Sequence, residues 1–100
     1  MLQSSAKFQA QLWKYQAPKA AWYFITLPKE DSLRIKHQNL LKIKGWGSIP
    51  VEVKIGQNVW RTSIFPSSKS GCYILPIKAE IRKKEKISEG DVVNVEFLVV

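Results

Sequence analysis

Residues Trp60 to Asp91, WRTSIFPSSKSGCYILPIKAEIRKKEKISEGD, decide the fold class. Read in order, they give a strand, a Pro/Ser/Gly loop, a second strand, a short basic helix and a Gly-Asp turn into the last strand. Pro66, Gly71, Pro76 and Gly90 punctuate that order. The apolar spacing changes from alternate residues in the strands to i, i+4 at Ile77 and Ile81. Nothing in the stretch forms a recognisable catalytic arrangement.

The same signals recur on either side. Phe8, Ala10 and Leu12 alternate with Lys7, Gln9 and Gln11, which predicts a strand with one wet face, broken at Pro18. Ala21 to Leu27, AWYFITL, is apolar on both faces and is expected to be a central strand covered on both sides and ended by Pro28. Asp31 or Ser32 then offers an oxygen to cap a short helix that ends near Gln38 or Asn39. Leu40 to Lys44 alternates again and reads as a short edge strand, with Gly45-Trp46-Gly47 as a turn. Val51, Val53 and Ile55 oppose Glu52 and Lys54. A tight turn over 56–58 leads back through Val59 to Phe65, so 49–65 is a hairpin. Cys72 to Ile77 is a further apolar strand. Pro76 is read in the first turn of the second helix, where Glu80 can pair with Lys84. Val93, Val95 and Phe97 form the inner face of the last strand.

The sum is a mostly β fold: a small single-domain antiparallel β-barrel with two short capping helices, about 31–38 and 77–84. One hundred residues make one domain, 1–100, with a core over about 7–98 and fraying expected at 1–5. A strand-Pro-helix-Gly-strand order occurs twice, from Ala21 to Ile55 and from Cys72 to Phe97, so two similar units can pair to close a barrel with a helix at each end. Most of the four tryptophans are expected in the core.

Composition bounds the function. A 45% hydrophobic share builds a core without a staple. The lone Cys72 cannot form an intramolecular disulfide and reads as a small buried hydrophobe, which fits a reducing, cytoplasmic setting. No run has the roughly 18–20 apolar residues of a membrane span, so no membrane association is expected. Sixteen Lys and Arg stand against eight Asp and Glu, a formal charge of +8. Ser32 to Val51 contains no acid at all. A field of that sign attracts polyanions and anionic metabolites.

Several short motifs occur in an order that resembles a known family. They are the aromatic strand Trp22 to Pro28, Gly47 before Val51–Ile55, Thr62–Pro66, Tyr73–Lys78, Arg82 and Gly90-Asp91. Together they closely resemble the family known as domain of unknown function 1905, over roughly Phe8 to Phe97. The resemblance implies a fold similar to the double-split β-barrel of AbrB-type regulators, and it implies no activity. AbrB-type barrels often form from two intertwined chains, so the protein is expected to be a monomer or a homodimer.

Catalytic and metal chemistry find no support in the residue types. His37 is the only histidine, and one His with one Cys is too few for zinc. Ser67, Ser68 and Ser70 read as loop residues bonding their own backbone. Glu89 and Asp91 read as turn formers. The expectation is a non-enzymatic module without cofactor. It binds a small anionic ligand or a protein partner through Arg61, Ser67, Ser68, Lys69, Lys78 and Arg82, with Trp46 or Trp60 as a wall. The alternative is nucleic-acid binding, DNA or RNA, through Lys36, Lys42, Lys44, Lys83, Lys84 and Lys86. Against both stands a purely structural role, with Lys78 and Arg82 paired to Glu80, Glu89 or Asp91.

Overall fold

The computed structural model describes residues 4–42, with only the backbone of Lys42, and 47–100. Six strands and two α-helices follow in order: β1 Ser5–Gln16, β2 Ala21–Thr26, α1 Lys29–Gln38, β3 Ile49–Ile55, β4 Asn58–Pro66, β5 Tyr73–Pro76, α2 Ala79–Lys84 and β6 Val92–Val99. The strands close into a barrel in the order β1-β2-β5-β4-β3-β6, with every neighbouring pair antiparallel. One chain closes this barrel by itself.

Closure follows from the alternating pattern. Ala6, Leu12, Ile25, Val51, Val53, Ile64, Leu75, Val95 and Phe97 point inward and are buried, with polar or aromatic neighbours on the outside. The two helices plug opposite ends. At one end lie the start of β1 and the end of β2, closed by α1 through Ile35; at the other lie the end of β1 and the start of β2, closed by α2 through Ile81.

The repeated strand-helix-strand order becomes a pseudo-twofold axis. Exchanging β1 with β4, β2 with β5 and β3 with β6 maps the strand order onto itself. The pairing registers then bring Leu12 onto Ile64, Ile25 onto Leu75 and Val53 onto Val95. Equivalent hydrogen bonds agree: the Leu27 N–H donates to the Tyr73 carbonyl and the Ile77 N–H to the Tyr23 carbonyl, both at 2.9 Å.

Several expectations change. The first helix begins at Lys29 with Pro28 at its N-cap, so neither Asp31 nor Ser32 caps it. Ser32 is instead buried one turn in, where its hydroxyl accepts the Tyr73 N–H at 3.0 Å. The second helix begins at Ala79 rather than 77, and Pro76 ends β5. A proline fits there because the β4–β5 ladder stops at Ile74, so its missing N–H has no partner to fail. Leu40–Lys42 is a 3₁₀ turn, not an edge strand, with Leu40 and Leu41 exposed. The remainder of that stretch, Ile43 and Lys44, lies outside the described residues, as do Gly45 and Trp46 of the expected turn. Fraying expected at 1–5 falls partly outside as well, while Ser4 accepts the Val99 N–H and Ser5 opens β1. The strand Ala21–Thr26 is covered on one side only, because a barrel has a single interior, and Trp22 is 55% exposed.

Two predictions test the helix-to-barrel links. Ser32→Ala leaves the buried Tyr73 N–H without an acceptor and should cost about 1–3 kcal/mol, read as a lower midpoint in urea unfolding. Gly56, at φ +58, makes the β3–β4 turn, and a Cβ there would overlap the Glu85 carboxylate, which accepts from Asn58 and Gln57. Gly56→Ala should destabilise by about 1–3 kcal/mol, and adding Glu85→Ala should recover part of that loss in the same unfolding measurement.

Candidate basic-aromatic groove at the second helix

At the α2 end a shallow groove of about 370 Å³ is lined by β2, β4 and the β5–α2 junction. Its side chains include three cations, Arg61, Lys78 and Arg82, and three aromatics, Trp22, Tyr23 and Trp60. No carboxylate lines it.

Arg82 is the most constrained member. Residues 82–87 end α2 as a Schellman turn: the Ile87 N–H donates to the Arg82 carbonyl at 3.0 Å, and Lys86 takes φ 54 in the position usually held by glycine. That turn buries Ile81 and sets Arg82 beside β2. The Arg82 guanidinium lies 3.7 Å from the Tyr23 ring centroid, and its Nε donates to the Ile77 carbonyl at 3.2 Å. Lys14 approaches the same ring at 6.0 Å. A guanidinium has five N–H donors, and among the described residues only Nε finds a partner, with no carboxylate paired to it. Cation–π contact at a half-buried site contributes about 0.5–2 kcal/mol and keeps the planar fork in one orientation.

The other two cations are loosely paired. Lys78 reaches Glu80 at 3.7 Å and Arg61 reaches Glu52 at 3.8 Å, both exposed. Such pairs contribute little, so an incoming anion displaces them at small cost. Lys84, bonded to Glu80 at 3.0 Å, and then Lys78 hold that carboxyl below its ordinary value. The equivalent position across the pseudo-twofold is Ser32, since the Ser32 N–H donates to Pro28 and the Arg82 N–H to Lys78. One helix therefore presents a buried hydroxyl to the barrel, and the other presents a cation to a groove.

The expected anion site is thus divided. Arg61, Lys78 and Arg82 come together, whereas Ser67, Ser68 and Lys69 belong to the β4–β5 loop at the opposite, α1 end, where Ser67 and Ser68 line a separate groove with Ser32, Lys36 and Tyr73. Trp46 lies outside the described residues, and Trp60 is the wall that is seen. The lysines of the expected nucleic-acid face are likewise divided, Lys36 on α1 and Lys83, Lys84 and Lys86 at α2, with the Lys42 side chain and Lys44 outside the described residues. Tyr23 was missed as a site residue; its signal was its place in AWYFITL, in step with inward-facing Ile25 and Leu27, at the margin of the core, where it is only partly buried. Of the tryptophans expected in the core, Trp60 is partly buried and packs against it. Trp13 is partly buried on the outer side of β1 and Trp22 is exposed, while Trp46 lies outside the described residues.

The family described as Domain of unknown function (DUF1905) matches residues 8–97. The chain belongs to this family. No curated protein matches it. The DUF1905 match takes in both helices, every described residue of the groove and all of the barrel except the first three residues of β1 and the last two of β6. Among the described residues no helix is long and apolar enough to cross a membrane.

The Glu80 pairing predicts a pH effect with a definite sign. A carboxyl whose folded pKa is lowered adds stability above its unfolded value, 4.5, and loses it as pH falls through the folded value. A carbon-detected NMR titration should find Glu80 titrating below the ordinary range in the parent, and returning toward it in Lys84→Ala.

Proposed function

We propose that this DUF1905 chain is a cytoplasmic binding module rather than an enzyme, and that it holds a small organic anion in the α2 groove. The supporting observation is Arg82, held over the Tyr23 ring with most of its donors unclaimed, in a groove lined by three cations and no acid among the described residues. A phosphate or carboxylate takes the guanidinium fork in a bidentate grip, with Lys78 and Arg61 supplying further charge. Trp22 and Trp60 provide apolar walls for the remainder of the ligand. An acidic side chain of a protein partner presents the same carboxylate to the same fork.

A thermal-shift screen of phosphate, pyrophosphate, nucleoside monophosphates and aromatic carboxylates tests this reading. Ligand at about 100 times its Kd stabilises the parent by about 2.7 kcal/mol. That gain should vanish in Arg82→Ala and return in part in Arg82→Lys, which keeps charge without the planar fork. Because Arg82→Ala also loses its contact with Tyr23, the quantity compared is the ligand-induced shift within each variant. Equal shifts in parent and Arg82→Ala would overturn the proposal.

A further inference from the structure

The barrel's outer surface is divided by charge and by aromaticity. Strands β1, β2, β4 and β5 contain no Asp or Glu, while β3 and β6 carry Glu52 and Glu96. On the β3/β6 side the charges answer one another, with Lys7 paired to Glu96 and Arg61 to Glu52. The opposite side, formed by β2 and β5 with the adjoining ends of β1 and β4, is built of rings. The registers Trp13↔Phe24, Tyr15↔Trp22, Phe24↔Pro76 and Phe65↔Ile74 place all of these side chains on the outer face. Tyr15 is 51%, Trp22 55% and Phe65 40% exposed. Trp13 packs on Phe24 at 5.0 Å between ring centroids, and its Nε1–H donates to the Thr26 hydroxyl at 2.8 Å, which fixes the indole.

We infer that this face binds single-stranded nucleic acid, its bases stacking on the exposed rings and its phosphates meeting the bordering cations. Cations stand at both ends of the face: Lys14, Lys78 and Arg82 at the α2 end, Lys29 and Lys69 at the α1 end. Acids appear at its border: Glu80 and the turn of Glu89 and Asp91 that docks on Leu12 at the α2 end, and Glu30 and Asp31 in the first turn of α1 beside Lys29. Rings at alternate positions of one strand are about 6.8 Å apart, twice the ~3.4 Å rise of stacked bases in a duplex. Only bases drawn out of a helical stack can each meet a ring. A second copy of this chain is disfavoured as the occupant, because it would bring two basic, acid-free faces together. A polyanion with flat apolar bases matches both properties at once. Trp22 and Pro76 belong to the face and to the α2 groove, so the inference rests on the groove reading for one phosphate contact and on the rings for the remainder.

Fluorescence anisotropy with labelled oligo-dT and oligo-rU of about 12 nucleotides, within the ~4–16 of single-strand sites, tests it against a duplex of the same length. At roughly 50 mM salt both single strands should bind in the micromolar range or tighter, more weakly at roughly 200 mM, and the duplex should bind less well than either. Trp22→Ala and Tyr15→Ala should each weaken binding about 5- to 150-fold, the equivalent of 1–3 kcal/mol per stacked base. Lys7→Ala, on the opposite face, should have far less effect. Absence of single-strand binding, equal or tighter duplex binding, or indifference to Trp22→Ala and Tyr15→Ala would overturn the inference. So would a dimeric mass in light scattering that Trp22→Ala abolishes, since the face would then belong to a second copy. The two readings fail separately: Arg82-dependent thermal shifts without oligonucleotide binding leave the groove and remove this inference. Oligonucleotide binding that needs Trp22 and Tyr15 but not Arg82 does the reverse.

Discussion

Two strands that change partners hold the barrel closed. β1 pairs with β6 from Ser5 to Gln11 and with β2 from Leu12 to Gln16; β4 pairs with β3 from Asn58 to Ile64 and with β5 at Phe65 and Pro66. Leu12 sits at the handover, exchanging hydrogen bonds with the 88–91 turn through its N–H to Asp91 and its carbonyl from Gly90. Both strands must stay long and alternating through that handover, because a shift of one residue would turn Leu12 or Ile64 out of the core. Every other feature hangs from this: the hairpin turns, the helices that close the ends, and the single interior that all six strands share.

A pseudo-twofold scaffold offers two equivalent ends, and the side chains make them unlike. Where α1 places Ser32 to satisfy a buried N–H, α2 places Arg82 on Tyr23. The first choice serves stability, since an orphan N–H in a packed end is costly. The second does nothing for the backbone of β2, whose Tyr23 carbonyl already accepts from Ile77. A half-buried arginine with unused donors is the more expensive arrangement, and that is why the groove, rather than the equivalent Ser32 end, is the candidate site.

The barrel class and the β3–β4 hairpin were legible because alternation reports burial directly: Val51, Val53 and Ile55 could pack on only one side. The repeated strand-helix-strand order likewise became the twofold topology. The site was less legible, for a spatial reason. Ser67–Gly71 and Lys78 are close in sequence, but the four residues of β5 between them run from one end of the barrel to the other, about 13 Å at ~3.3 Å per residue. In AWYFITL the apolar residues on the second face suggested cover, because composition does not distinguish a ring that meets the interior from one that meets solvent. The position of Leu40–Lys42 was misread because alternation over so few residues cannot tell a strand from a turn that continues a helix.

The outer aromatics are a separate demand on the sequence, independent of the fold. Inside the barrel, Leu12, Ile25, Leu75 and Val95 fill the core without help from Trp22 or Tyr15. A closed barrel has no open edge to protect, and β-branched polar residues would hold the outer positions of β2 equally well as strand. The β3/β6 side holds its outer positions with charged residues instead of rings, Lys54, Glu52 and Glu96 among them. Rings on one outer side, strand acids confined to the other, and an arginine over Tyr23 where the two ring-bearing strands reach the α2 end are three features that packing does not require. Their chemistries differ and complement one another: exposed rings favour flat apolar groups, and a cation with free donors on a side whose strands carry no acid favours anions.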